Sequence, residues 1–166
     1  MHLIYMDDSR DEQLCVFSAL VVPEDRWQDA FAQVRQFRRD LKNTDTIYVY
    51  TELHAWKFVS GRGRISDRAV PKGRRCQIFK EALQMIAGLP EVRLFNAVFP
   101  AKQDERAFER LLNGIQLVDF CAYALLRGER PIPSKTKYGL NQAFQLLNPI
   151  LVLEASTRDP EGIIRP

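Results

Sequence analysis

The first 22 residues contain two apolar runs that are separated by a polar turn. Residues 2–7 are predicted to form a strand, in which successive side chains alternate between the two faces. Tyr5 and Asp7 would then lie on the same face. Residues 8–13 are polar, and residues 14–22 form a second apolar run. Two such runs joined by a short polar segment predict an N-terminal antiparallel hairpin.

Most of the remaining chain has apolar residues at the three- and four-residue spacing of amphipathic helices. This spacing predicts helices over residues 23–42, 74–87, 103–113, 115–127 and 136–148. Short β-branched or aromatic runs predict strands at 46–50 and 92–99. Strands that come first and then alternate with helices favour an α/β fold, with a mixed sheet flanked by helices.

Composition is typical of a globular protein rather than a membrane protein. The chain has 166 residues, of which 46% are hydrophobic and 27% charged, and we expect one domain over residues 1–166. No apolar run approaches the roughly 20 residues that cross a bilayer. The N-terminus lacks the pattern of a secretory signal, and the three cysteines are an odd number, so we expect reduced thiols in the cytoplasm.

Two adjacent carboxylates end the first predicted strand. Asp7 and Asp8 follow the apolar residues 2–6 directly. Neighbouring carboxylates at a covered strand end repel each other and lose hydration, and a divalent cation such as Mg²⁺ or Mn²⁺ compensates both effects. The alternatives are a turn-capping role for Asp7 and a turn role for Asp8.

A third acid, Asp119, is the only charge in the apolar run 115–126. A helix that is apolar nearly all round is normally buried, and a buried carboxylate is costly unless it is paired or bound to a metal. Gln116, Asp119 and Tyr123 would form one narrow polar stripe along this helix. Metal binding by Asp7, Asp8 and Asp119 is the preferred interpretation, and pairing of Asp119 with a buried Arg or Lys is the alternative.

Basic residues are concentrated between residues 57 and 80, where Asp67 is the only acid before Lys80. Several glycines and a proline in this stretch indicate a loop that leads into a helix. The candidate nucleic-acid-binding residues are Arg62, Arg64, Arg68, Lys72, Arg74 and Arg75. Such a cluster suits a polyanion, although a solvated loop with scattered charge is the alternative.

Three motifs, in the same order along the chain, resemble those of the domain-of-unknown-function 3800 family. They are the opening HLIYMDDSR, the middle block TELHAWKFVSGRGR and the late block IQLVDFCAYALLR. The resemblance implies a ribonuclease H-like fold in which acids on the first strand and a late helix hold divalent metals for phosphodiester chemistry. By position it implies that Asp7 and Asp119 are metal ligands and that Glu52 and His54 are the polar pair of the middle block.

The chain departs from the family pattern at two places. Asp8 and Arg10 stand where the family has Glu and Gly. Between Asn113 and Ile115 the family carries a longer segment with another acidic pair, whereas this chain has only Gly114. The chain is therefore either a shortened relative or lacks a segment at this junction. An enlarged Cα separation between residues 113 and 114 would reveal the second case.

The candidate catalytic residues are thus Asp7, Asp119, Glu52 and His54. Glu52 could be a third ligand or orient a water molecule, and His54 could move protons near neutral pH or be a partly buried structural histidine. The leading hypothesis is a metal-dependent nuclease-like domain. The alternatives are a degenerate module that binds nucleic acid or protein and a small-molecule phosphate hydrolase, and homodimerisation stays open.

Overall fold

Helices flank a three-stranded antiparallel sheet in the computed structural model, which describes residues 1–101 and 116–165. The strands are β1 (His2–Arg10), β2 (Leu14–Pro23) and β3 (Arg93–Pro100). The helices are α1 (Trp27–Asp45), α2 (Ala55–Val59), α3 (Lys72–Ala87), α4 (Gln116–Glu129) and α5 (Pro133–Thr136). Three 3₁₀ segments cover Glu24–Arg26, Leu140–Ile150 and Leu153–Ala155.

The predicted N-terminal hairpin is confirmed. β1 and β2 pair antiparallel with Asp7 opposite Ser18, and β2 also pairs antiparallel with β3, which gives the order β1-β2-β3. Parallel pairing occurs in the described residues only as isolated bridges from β3, to Leu151 and to Ile164. The combination of a sheet with flanking helices is therefore confirmed, whereas the three-stranded sheet is antiparallel and not mixed as predicted. A ribonuclease H-like arrangement remains a prediction.

α4 is the central helix of the core. Its residues from Val118 to Arg127 are buried apart from the half-buried Asp119, as the apolar character of the run predicts. The helix packs against β1, β2, α3 and the segment Leu140–Ile150. This position brings Asp119 next to the sheet that carries Asp7.

The strand predicted at 46–50 is wrong. Thr46 instead ends α1 in the left-handed conformation, with a φ of 57°, and only Ile47 forms an isolated bridge, to Ser66. The guanidinium of Arg38 donates hydrogen bonds to the carbonyls of Tyr48, Val49 and Thr51 at 2.6–2.9 Å. Because a side chain satisfies these carbonyls, the segment does not need a strand partner.

The last predicted helix, 136–148, is also wrong in type. α5 ends at Thr136, Gly139 adopts a φ of 73°, and the 3₁₀ segment Leu140–Ile150 follows. The left-handed turn at Gly139 interrupts a continuous helix. The helix predicted at 103–113 and the junction at Gly114 lie outside the described residues.

The three cysteines, Cys15, Cys76 and Cys121, are free thiols. Cys76 and Cys121 are buried in the apolar core. Among the helices in residues 1–101 and 116–165, none combines the length and apolar character that crossing a bilayer requires.

Candidate functional site

Asp119 reaches out of α4 towards the start of α2. Its Oδ2 accepts a hydrogen bond of 2.5 Å from the backbone N–H of Ala55. Burial raises the pKa of Asp119 to about 6, and the nearby charges of Asp7 and Glu52 act in the same direction. The Ala55 amide and His54 oppose that rise. Within the described residues Asp119 has no Arg or Lys partner, so the alternative of a buried ion pair has no support there.

Asp7 lies on β1, on the face that also carries Tyr5. Tyr5 packs against the core and accepts a hydrogen bond of 2.6 Å from Nε1 of Trp27. Burial raises the pKa of Asp7, and the charges of Asp8 and Glu52 add to that rise against the Asp8 amide and His54. The strand and α4 thus bring the two predicted metal acids into one electrostatic neighbourhood.

Asp8 follows Asp7 on β1 and lines a cleft together with Asp119. Its Oδ2 accepts a 3.1 Å hydrogen bond from Nε of Arg10. The side chain of Asp8 is only 10% exposed, so this ion pair partly neutralises a largely covered carboxylate. Arg10 therefore already supplies part of the compensation that was expected from a metal.

Glu52 and His54 lie just before α2, and both are exposed. Nε2 of His54 is 3.3 Å from Oε2 of Glu52. Almost half of the His54 side chain is exposed, which is compatible both with proton transfer and with a partly buried structural histidine. Both residues act on the pKa values of Asp7 and Asp119, which places the middle-block pair beside the two acids.

The chemistry of these side chains suits a hard divalent cation, since carboxylate oxygens are its preferred ligands. Asp7 and Asp119 are two partly buried carboxylates without a cationic partner among the described residues. Over the same residues, however, no three His, Cys, Asp or Glu side chains converge as a ready metal site. The donors therefore fit Mg²⁺ or Mn²⁺ in kind, and Asp7 with Asp119 is the pair that would hold it.

A cleft of about 700 Å³ opens beside Asp119. Asp8, Asp11 and Glu12 lie on the strand side of this cleft. The other wall carries Tyr123 and Arg127 of α4, Arg130, and Lys135 of α5. Trp56 of α2 also contacts the cleft, and its ring is 46% exposed.

The predicted basic residues divide into exposed and internally bonded groups. Arg62, Arg64 and Arg68 are exposed, and Arg62 lies 5.5 Å from the Trp56 ring centre. A smaller cavity of about 260 Å³ separates Arg62 and Arg64 from Glu52 and His54. The structure thus brings part of the basic loop to the edge of the acidic site.

Arg74 and Arg75 mainly make internal contacts. Arg74 forms a bidentate ion pair with Asp45 at 2.7 Å and also contacts Glu81. Buried Arg75 donates to the carbonyls of Val70 and Arg62. Lys72 is half-buried at the start of α3. Nucleic-acid contacts by these three residues remain predictions.

The sequence interpretation missed Arg127, Arg130 and Lys135, which form the basic wall of the cleft. A signal for Arg127 was present, because it follows Asp119 and Tyr123 at successive four-residue steps on one helix face. No spacing rule links Lys135 to that face, because a turn and a separate short helix intervene.

Comparison of the chain with protein-family models, with curated proteins and with solved structures found no match.

Proposed function

We propose that this chain is a metal-dependent nuclease-like domain with a ribonuclease H-like arrangement, acting on DNA or RNA. The observation that carries the proposal is the pairing of Asp7 on β1 with Asp119 on α4. Both carboxylates have raised pKa values and lack a cation among the described residues. A divalent ion between them would offset the desolvation of both.

The surroundings of the two acids support a polyanionic substrate. Arg62 and Arg64 line the smaller cavity together with Glu52 and His54, and Arg127 and Lys135 line the cleft beside Asp119. A charged backbone that passed the acids would meet cations in both cavities. Three free thiols fit a reducing compartment such as the cytoplasm.

A metal bound by Asp7 and Asp119 would activate water and offset the negative charge that develops at phosphorus. Glu52, His54 and Trp56 would transfer protons and position the substrate. Glu52 holds the imidazole of His54 by their 3.3 Å contact, and His54 is exposed to a substrate. His54 could therefore accept or return a proton, and the ring of Trp56 could stack on a base.

The proposal is tested by cleavage assays with Mn²⁺ or Mg²⁺ on single-stranded, duplex and hybrid substrates. We expect the double variant Asp7→Asn/Asp119→Asn to lose at least about 100-fold in rate, because the amides remove the charge that holds the metal. Asp29→Asn is the matched control, since Asp29 is exposed on α1. A double variant that cleaves at the rate of the unmodified protein would refute the acid-site mechanism.

One observation favours a second function, a module that binds nucleic acid without cutting it. Asp8, a third candidate ligand, is engaged by Arg10, and no preformed group of three metal-binding side chains is present among residues 1–101 and 116–165. Binding with a steep salt dependence but without cleavage in any metal would select this module.

A further inference from the structure

The cleft beside Asp119 is lined by two buried cations that take no part in the proposed metal chemistry. Arg127 ends the buried face of α4, and Lys135 lies on α5. Both residues are more than nine-tenths buried, and both line the cleft of about 700 Å³. Buried cations are normally paired with acids. The hydrogen-bond and ion-pair partners of Arg127 and Lys135 therefore indicate the role of this part of the cleft.

Lys135 has no carboxylate partner in the described part of the chain. Its Nζ contacts the hydroxyl of Tyr123 and lies 4.7 Å from the centre of that ring. Burial and the positive charges of Arg127, Lys72 and Arg62 together lower the pKa of Lys135 to about 8. Positive charges that lie near each other at a covered site are stabilised when an anion joins them.

Arg127 is also incompletely satisfied. Its side chain is 5% exposed, and its Nε is buried without a hydrogen-bond partner. Its Nη2 lies 3.4 Å from Oδ2 of Asp11, and Arg130 approaches the same oxygen at 3.6 Å. One partly exposed carboxylate, that of Asp11, thus serves two guanidinium groups, so their positive charge is only partly compensated.

We propose that Arg127 and Lys135 form a phosphate-binding subsite at this end of the cleft. The occupant is a backbone phosphate of the nucleic acid whose cleavage or binding we propose above, and the inference rests on that function. A phosphate offers several acceptor oxygens to the guanidinium of Arg127 and to the ammonium group of Lys135. Exposed Trp56 lies in the same cleft, with Arg62 and Lys57 within 6 Å of its ring centre, and provides a stacking surface for an adjoining base.

The test uses pyrophosphate as the probe, in EDTA and at constant ionic strength, so that no metal contributes. We expect Lys135→Met to weaken pyrophosphate binding by about tenfold or more in calorimetry, because a charge-assisted contact is lost. Lys137→Met is the matched control, because Lys137 is exposed two residues away and contacts only the ring of Tyr138 in the described structure. We expect this control to bind as the unmodified protein does.

A measurement on the unmodified protein removes any dependence on how a variant folds. An NMR titration should show that pyrophosphate shifts the side-chain signals of Lys135 and leaves those of Lys137 unchanged. Equal shifts of both lysines, or tight pyrophosphate binding by Lys135→Met, would overturn the subsite.

The outcome is separable from the test of the proposed function. Asp7→Asn/Asp119→Asn should retain pyrophosphate binding, because it changes neither cation and removes nearby negative charge. If the protein cleaves no substrate but still binds pyrophosphate in a manner that depends on Lys135, the nuclease proposal fails and the phosphate subsite is retained. Cleavage without Lys135-dependent binding would leave the nuclease proposal standing and remove the subsite.

Discussion

Asp119 links two elements through one hydrogen bond. Its carboxylate accepts from the first backbone N–H of α2, so it occupies the place of a capping side chain contributed by another helix. The cost is a partly buried negative charge that nothing in the described residues neutralises. Such a group stabilises the fold better when protonated, and this has a measurable consequence.

We expect Asp119→Asn to stabilise the metal-free protein above about pH 6. The pKa of Asp119 is raised from 3.8 to about 6, so the folded state holds the proton more tightly than the unfolded state. The contribution to stability is therefore present at low pH and is lost as the pH rises through this range. The asparagine can still accept from Ala55 without carrying charge.

The gain should grow between about pH 4 and pH 6 and then level off, reaching up to about 3 kcal/mol. Denaturant unfolding in EDTA at several pH values measures it. A variant that is less stable than the unmodified protein at pH 7 would show that Asp119 has a compensating partner.

Lys135 is a buried cation, so its effect on stability should change with pH in the opposite direction to that of Asp119. Its pKa is lowered from 10.5 to about 8, so between these values the unfolded state binds more protons than the folded state. Stability should therefore rise with pH across this window, by up to about 3 kcal/mol relative to Lys135→Met. The difference in unfolding free energy between the two proteins from pH 7.5 to 10.5 measures it, and Lys137→Met should show no such pH dependence.

At the scale of elements, the C-terminal segment is held against β3 by a tight crossing. Ile164 exchanges backbone hydrogen bonds with Asn96 and Val98 of β3. Gly162 precedes this contact with a φ of 70°, and a Cβ there would lie 2.2 Å from the carbonyl oxygen of Val152. The crossing therefore depends on the absence of a side chain at residue 162.

We expect Gly162→Ala to destabilise the protein by more than about 2 kcal/mol, since it adds a backbone clash to an unfavourable φ. Gly128→Ala is the control, because Gly128 lies in α4 and an added Cβ would meet only the carbonyl oxygen of Asn141, at 3.8 Å. That change should stabilise the helix by about 1 kcal/mol. Thermal unfolding of both variants tests the pair, and a neutral Gly162→Ala would refute the tight crossing.

Hydrophobic periodicity predicted helices and strands correctly where an element buries one face. It failed where a side chain forms the hydrogen bonds of the backbone carbonyls. It identified α1, α3 and the three strands, and α3, β2 and β3 each bury a regular apolar face. It failed at residues 46–50, where Arg38 binds the carbonyls, and it left α2 undetected. A five-residue helix is too short to show a period.

At the scale of the whole molecule, the sequence located the acids better than the cations. Asp7 and Asp119 stand out because each is a charge in an apolar run, and that local contrast survives folding. The basic loop was conspicuous in sequence, yet Arg74 and Arg75 make internal contacts. Arg127 was missed although it continues the helix face of Asp119 and Tyr123, and Lys135 was missed because only the tertiary structure places it beside that face.

The arrangement of charge predicts how binding should depend on salt. If a nucleic acid crosses from the basic loop to the cleft, exposed Arg62 beside Trp56 contacts a phosphate. Arg62→Gln should weaken binding of a single-stranded oligonucleotide at low salt and reduce the slope of log K against log salt by about 1. Fluorescence titrations in EDTA at several salt concentrations measure both quantities.

Arg93→Gln is the control for this salt dependence. Arg93 is also exposed but begins β3, and it lines neither the cleft nor the cavity beside the basic loop. Its loss lowers the net charge by the same amount, so any difference between the two variants reports position rather than total charge. Equal effects of Arg62→Gln and Arg93→Gln would mean that the oligonucleotide responds only to overall charge, and a defined path across the acids would then be excluded.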